Sequence, residues 1–186
     1  MRPNEPAHPL PPSFESLPMS SALPYRPNVG IALFDARGLT LIAKRIGDDG
    51  PETLAPGCAW QMPQGGIDPD ENVEQAARRE LFEETGVRRA SVLGVHPEWL
   101  TYDFPPYDGP PHRLAAFRGQ RQRWFAMRFE GDDGEIDLAP AAAGAEPEFS
   151  EWRWERLERL PALVVPYKRA LYDNVARAFA RFAAPA

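Results

Sequence analysis

The stretch WQMPQGGIDPDENVEQAARRELFEETGV, residues 60–87, decides both the fold and the chemistry of this sequence. Asn72 is a typical residue before a helix and Gly86 a typical residue after one, so the stretch predicts a helix over residues 73–85. A rival helix start lies four residues earlier, at Asp68 followed by proline. The helix would come directly after a loop that ends in two adjacent glycines.

Three glutamates of this helix, Glu80, Glu83 and Glu84, fall within about one turn. Like charges at this spacing cost an isolated helix a few tenths of a kcal/mol per pair. The helical phase predicts that Arg78 and Arg79 lie outside the acidic arc, whereas a solvated face usually interleaves both signs of charge. The spacing therefore favours a site for a hard divalent cation such as Mg²⁺ over a merely solvated face.

The residues occur in the order G-x5-E-x7-R-E-U-x-E-E-x-G-U, where U is aliphatic. This order matches the Nudix box, and every fixed position is filled: Gly65, Glu71, Arg79, Glu80, Leu81, Glu83, Glu84, Gly86 and Val87. The runs YRPNVGIALF, GQRQRWF, PEFSEWRW and YKRALY extend the similarity over roughly residues 25–179. The chain resembles the bacterial RNA pyrophosphohydrolase branch of the Nudix hydrolases, which also includes dinucleoside polyphosphate hydrolases.

The resemblance implies an α/β/α sandwich in which the box helix borders a mixed β-sheet. Short β-rich runs independently predict strands, and apolar residues at helical spacing near the C terminus predict an amphipathic helix on the sheet. Residues 45–60, rich in Gly, Pro and acidic residues, predict a long surface loop. Strands are expected over residues 29–34, 39–44, 90–102, 123–129 and 149–154.

The resemblance also implies catalytic and metal-binding roles. It makes Glu80, Glu83 and Glu84 ligands of Mg²⁺ or Mn²⁺, and Arg79 the arginine that orients them. Glu135 matches a further acid that binds metal or activates water, with an ordinary loop-edge acid as its alternative. The general base is then Glu80 or Glu135.

Substrate contacts are implied for residues of the loop, the first strands and the C-terminal segment. Arg26 and Arg45 are expected to contact phosphates, and Gly65 lets the backbone approach a ligand. Tyr102 and Tyr167 are candidate platforms for a stacked base, with core packing as the alternative for both. The full expected set is Arg26, Arg45, Gln64, Gly65, Tyr102, Tyr167 and Lys168.

The composition limits the organisation of the chain and its partners. A length of 186 residues suits one domain, expected over residues 25–182, after a Pro-rich tail over residues 1–24 that we expect to be disordered. The formal charge of −6 excludes a global basic field, so a polyanion must be held by local cations or metal ions. The lone Cys58 and the absence of a long apolar run are consistent with a cytoplasmic protein that has no membrane partner.

Three functions are compatible with these residues. The first is an RNA 5′ pyrophosphohydrolase, acting on 5′-triphosphorylated RNA and promoting RNA decay. The second is a diadenosine tetraphosphate hydrolase, acting on a dinucleoside polyphosphate. The third is a catalytically inactive Nudix-like binding module, although such a module would be expected to lose a box glutamate and this sequence retains all of them.

Overall fold

The computed structural model describes residues 23–139 and 146–185, so the predicted tail lies outside the described residues except for its last two positions. No helix in these two ranges is long and apolar enough to cross a membrane. The strands are β1 Tyr25–Phe34, β2 Thr40–Arg45, β3 Trp60–Gln61, β4 Gln64–Gly66, β5 Ala90–Val95, β6 Leu100–Asp103, β7 Gly119–Phe129 and β8 Phe149–Glu155. The helices are α1 Val73–Thr85, α2 Leu160–Leu163 and α3 Arg169–Phe179.

The strands form one mixed sheet, as expected. β1 pairs in parallel with β7 and antiparallel with β2 and β4. β2 also pairs with β3 and β8, while β7 pairs with β5 and β6, all antiparallel. The single strand predicted over residues 90–102 is therefore wrong: it is two strands, interrupted at Pro97, which has no N–H to donate to a ladder.

Helices cover both faces of the sheet, which confirms the α/β/α sandwich. On one face α1 buries Ala76, Ala77 and Leu81 against β1 and β7. On the other face α2 and α3 pack over Trp124 and Phe34. Alternate residues of a strand point to opposite faces, so β1 and β7 contribute side chains to both layers of the core.

The predicted bounds of the box helix are confirmed at both ends. The Asn72 side chain accepts hydrogen bonds from the backbone N–H groups of Glu74 and Gln75, at 2.9 and 3.4 Å. Gly86 has φ 72°, a left-handed conformation that favours glycine, and its N–H donates to Phe82 O. The helix therefore begins and ends where its capping residues require.

The loop between β2 and β3 is not the simple surface loop that its composition predicts. Its residue Glu52 is only 5% exposed, and its carboxylate lies 2.8 Å from Lys168 Nζ and accepts a hydrogen bond from the Tyr102 hydroxyl. A buried carboxylate is tolerated when a cation and hydrogen bonds replace water. Glu52 thus fixes the loop against the C-terminal layer.

Candidate active site

The site is built around the contact between α1 and β4. Gly65, in the middle of β4, faces Glu80 so closely that an added Cβ would lie 1.9 Å from the Glu80 Cδ atom. Any side chain at position 65 would therefore displace the carboxylate. The two glycines of the loop bring the backbone of β4 directly under the acidic arc of the helix.

Arg79 ties three of the four glutamates of the box together. Its Nε and Nη2 atoms donate to Glu71 at 2.8 and 2.7 Å, and Nη1 donates to Glu80 at 2.8 Å and Glu83 at 3.1 Å. A further hydrogen bond of 2.9 Å runs from Nη2 to Gly66 O. The expectation that Arg79 lies outside the acidic arc is therefore wrong, because its long side chain folds back over the arc and offsets much of the repulsion between the glutamates.

Glu84 is the most deeply placed acid of the box. It is 9% exposed and accepts a 3.0 Å hydrogen bond from Gln64 N–H. Burial raises the pKa of Glu84 well above its usual value, and the negative charges of Glu148 and Glu80 raise this pKa further. Arg45 lies near the same group, with its Nε 3.8 Å from the Glu148 carboxylate.

Glu148 is a candidate site residue that the sequence reasoning missed. It directly precedes β8, whose first residue, Phe149, is the register partner of Arg45 on β2. This pairing brings Glu148 to Arg45 and close enough to Glu84 to influence its pKa. The only signal in the sequence was the acid before the aromatic run in PEFSEWRW, which gives no register.

The structure does not bring Glu135 to the box glutamates. Its carboxylate forms an ion pair with Arg89 and accepts a 3.1 Å hydrogen bond from Asp132 N–H. The hydrogen bond from Arg89 holds the pKa of Glu135 below its usual value. These contacts do not support Glu135 as a metal ligand or general base. They favour the alternative of a loop-edge acid, which here braces a loop beyond the C-terminal end of α1.

Among the expected substrate residues, Arg26 and Gln64 lie at the mouth of the site. A Cβ on Gly66 would lie 2.1 Å from Arg26 Nη2, so this guanidinium rests against the β4 backbone. Gln64 belongs to a cluster of buried amides in which Gln122 Nε2 lies 3.1 Å from Asn28 Oδ1 and 3.3 Å from Gln64 Oε1. In the described part of the chain Asn28 Nδ2 is buried and has no hydrogen-bond partner, so this amide cluster retains one unused donor.

The structure corrects the expected roles of Tyr102 and Lys168. Lys168 is 1% exposed and paired with Glu52, and Tyr102 is buried with its hydroxyl on the same carboxylate. Neither presents an open surface to a substrate in this conformation. Tyr167 is half-buried, with its ring centroid 5.8 Å from that of Tyr102 and its hydroxyl donating to Thr53 O at 3.2 Å.

The donor set fits a hard divalent cation. Glu80 and Glu84 are carboxylates held at low exposure near a third, Glu148, and oxygen ligands of this kind suit such an ion. Residues 23–139 and 146–185 contain no three acidic, histidine or cysteine side chains that already converge as a metal cage. Metal binding at this site therefore requires the carboxylates to close around the ion from the positions they occupy here.

This fold and these clustered carboxylates, flanked by arginines, define a metal-assisted enzyme acting on phosphate compounds. The chain belongs to the Nudix family, because residues 24–175 match the NUDIX domain. It is 53% identical over 164 residues to an RNA pyrophosphohydrolase of Acidiphilium cryptum, covering 88% of this chain and 95% of the relative. It is 49% identical over 161 residues to an RNA pyrophosphohydrolase of Afipia carboxidovorans, with 87% and 95% covered.

Solved structures of low sequence identity share the fold. The crystal structure of a C. elegans Ap4A hydrolase binary complex aligns with a TM-score of 0.51 at 17% identity, covering 83% of this chain and 98% of that one. At this identity the match concerns the arrangement of the sheet and helices. Nudix hydrolases are generally dependent on divalent metal ions, which agrees with the donor set of this site.

A first prediction concerns Glu71, which braces Arg79 with two hydrogen bonds that lower the pKa of Glu71 to about 2. Glu71→Gln should lower the free energy of unfolding by roughly 1–2 kcal/mol near neutral pH. The carboxylate stabilises the fold above its unfolded pKa, 4.5, and this stabilisation is lost as the pH falls toward 2. Urea unfolding of both proteins at several pH values should show their difference shrinking across this window; a constant difference would contradict the prediction.

Proposed function

We propose that this chain is an RNA 5′ pyrophosphohydrolase that removes pyrophosphate from 5′-triphosphorylated RNA and leaves a 5′ monophosphate. The observation that carries the proposal is the complete box, with Glu80 seated on Gly65 and Glu84 buried beside it. The relatives named RNA pyrophosphohydrolase match this chain along nearly their whole length, which supports RNA as the substrate. The cytoplasm, where transcripts are turned over, is the proposed location.

Metal binding is assigned to Glu80, Glu83, Glu84 and Glu148, with Mg²⁺ as the proposed ion and Mn²⁺ as its substitute. An ion held there would supply positive charge to neutralise phosphate oxygens and to acidify the attacking water. Arg79 holds the Glu80 carboxylate against Gly65. Glu80 or Glu148 accepts the proton of the attacking water, since both carboxylates border Glu84 and neither is fully exposed.

The cations and amides around this centre are assigned to the substrate. Arg26 and Arg45 contact the phosphates, because Arg26 lies near Glu80 and Arg45 lies near Glu84 and Glu148. Tyr167 stacks on the base, and opening of the amide cluster would let the buried Asn28 Nδ2 donate to the substrate. Lys168 and Tyr102 act indirectly by holding the loop at Glu52.

The test compares specificity constants for two substrates under the same Mg²⁺ concentration. We expect kcat/KM for a 5′-triphosphorylated RNA oligomer to exceed that for diadenosine tetraphosphate by about tenfold or more, a difference of about 1.4 kcal/mol in transition-state stabilisation. Products are resolved by chromatography, with pyrophosphate and 5′-monophosphorylated RNA as the expected pair. A preference for the dinucleotide would replace the proposal by its rival, and binding without product release would indicate an inactive module.

A further inference from the structure

An exposed cationic and aromatic surface lies on β7 beside the start of β6. The Arg121 Cζ atom lies 5.0 Å from the centroid of the Trp99 ring, and the Arg123 Cζ atom lies 6.0 Å from it. Arg123 Nη1 also donates to Pro97 O at 2.8 Å, which fixes one guanidinium beside the indole. These three residues, Trp99, Arg121 and Arg123, are here named the Trp99 patch.

The patch lies on the sheet face that carries α1, at the point where the helix no longer covers it. Phe125, two residues beyond Arg123 on β7, is buried in the α1 layer, so Arg121 and Arg123 project from the same face. Arg121 and its register partner Thr101 are exposed. A stretch of sheet face with a half-buried indole is therefore open to a ligand.

The charge of the patch is not neutralised by the described part of the chain. Neither Arg121 nor Arg123 forms an ion pair there, whereas Arg78, Arg89 and Arg118 each pair with a carboxylate. The chain as a whole carries a formal charge of −6. Two unpaired guanidinium groups beside an indole thus form a local positive surface on an acidic protein, which suits a polyanion.

The patch lies near the reaction centre but outside it. Arg123 is the register partner of Val29, and Val29 is the register partner of Gly65, on which the Glu80 carboxylate rests. Two strand spacings, about 10 Å, therefore separate the backbone at Arg123 from the backbone at Gly65. A ligand confined to the carboxylates does not touch the patch, whereas a longer chain can reach it.

We propose that the Trp99 patch is a docking surface for the single-stranded RNA chain downstream of the 5′ end. The guanidinium groups of Arg121 and Arg123 bind backbone phosphates, and the Trp99 ring provides a face for a base. Aromatic residues on an open sheet face are a common way of binding single-stranded RNA. This inference rests on the proposed function, since it takes RNA as the substrate.

The test is the double variant Arg121→Gln/Arg123→Gln, assayed on 5′-triphosphorylated RNAs of about two and about twelve nucleotides. For the long RNA we expect kcat/KM to fall about tenfold because KM rises. For the short RNA we expect kcat/KM to change by less than about twofold. The slope of log kcat/KM against log salt concentration should become shallower by about 1.4 for the long RNA, since two phosphate contacts are lost. An RNA of the same length with a 5′ hydroxyl should inhibit the wild type more strongly than the variant.

The matched control is Arg156→Gln/Arg177→Gln, which changes the charge equally at two exposed positions outside the patch and the active site. This control variant should leave kcat/KM for both RNAs, and its dependence on salt concentration, unchanged. If the patch variant lost kcat/KM equally on the long and the short RNA, or lost it on neither, the proposed docking role of the patch would be overturned. The proposed function would stay intact. A wild type that hydrolyses diadenosine tetraphosphate and neither RNA would overturn both.

Discussion

Gly65→Ala is expected to lower kcat/KM by about a hundredfold or more, while the protein still folds. A Cβ at this position would lie 1.9 Å from Glu80 Cδ and 2.0 Å from Glu80 Oε2. The carboxylate is the end of a flexible side chain, so it moves away rather than the strand. The loss of activity would then come from displacement of a proposed metal ligand, and steady-state kinetics with a melting curve would separate it from unfolding.

Gly47→Ala is the matched control, because a Cβ there meets no atom within 4 Å and the residue does not need positive φ. Activity and melting temperature should stay close to those of the wild type. If Gly65→Ala retained near-normal turnover, the seat of Glu80 on β4 would have no catalytic importance. If it failed to fold, the clash would involve the backbone of β4 and α1 rather than the carboxylate alone.

The fold was predictable where local rules decide it. Asn72 and Gly86 set the bounds of α1 through capping groups and a left-handed conformation, both readable from residue type. The mixed sheet was implied by the resemblance together with short β-rich runs. The prediction of a single strand over residues 90–102 was wrong because this run forms two strands, β5 and β6, which both pair with β7. Hydrophobic periodicity alone does not locate the break between them at Pro97.

The candidate site was predictable only in its local part. Glu80, Glu83 and Glu84 share an arc because helical spacing fixes their phase. Glu135 and Glu148 both precede apolar or aromatic residues outside the box, and spacing does not say which of them approaches it. The register of β8 on β2 brings Glu148, and not Glu135, to the site, because Phe149 lies opposite Arg45.

Long-range pairing also explains the corrections at Tyr102 and Lys168. A lysine beside an aromatic residue looks available for phosphates in sequence, yet Lys168 is buried because Glu52 reaches it from a loop more than a hundred positions earlier. The acidic composition of that loop predicted exposure. Its one buried carboxylate has no periodic signature, so only the fold reveals the pair.

Glu83→Gln is expected to lower hydrolysis by orders of magnitude and yet to leave the metal-free protein nearly as stable as the wild type. Glu83 is 45% exposed and lies 3.1 Å from Arg79 Nη1, so the variant loses an exposed ion pair. It also loses repulsion from Glu80 and Glu84, and both effects amount to about 0.5 kcal/mol or less. The glutamates therefore coexist in the absence of metal because Arg79 offsets their repulsion. Removing the charge of Glu83 removes part of the attraction to Arg79 and part of the repulsion among the glutamates, so the two losses largely cancel.

The measurement is a pair of melting curves, in EDTA and in Mg²⁺, beside an activity assay. Mg²⁺ should stabilise the wild type by roughly 1.4 kcal/mol at tenfold excess over Kd, and the variant by much less, because a ligand is missing. Glu74→Gln is the control, since Glu74 lies 2.9 Å from Arg78 on the same helix and outside the site, and it should keep both turnover and the Mg²⁺ shift. A Glu83→Gln protein that behaved like this control, or that melted far lower in EDTA, would place Glu83 in the solvated or structural part of the helix and leave Glu80, Glu84 and Glu148 as the proposed metal ligands.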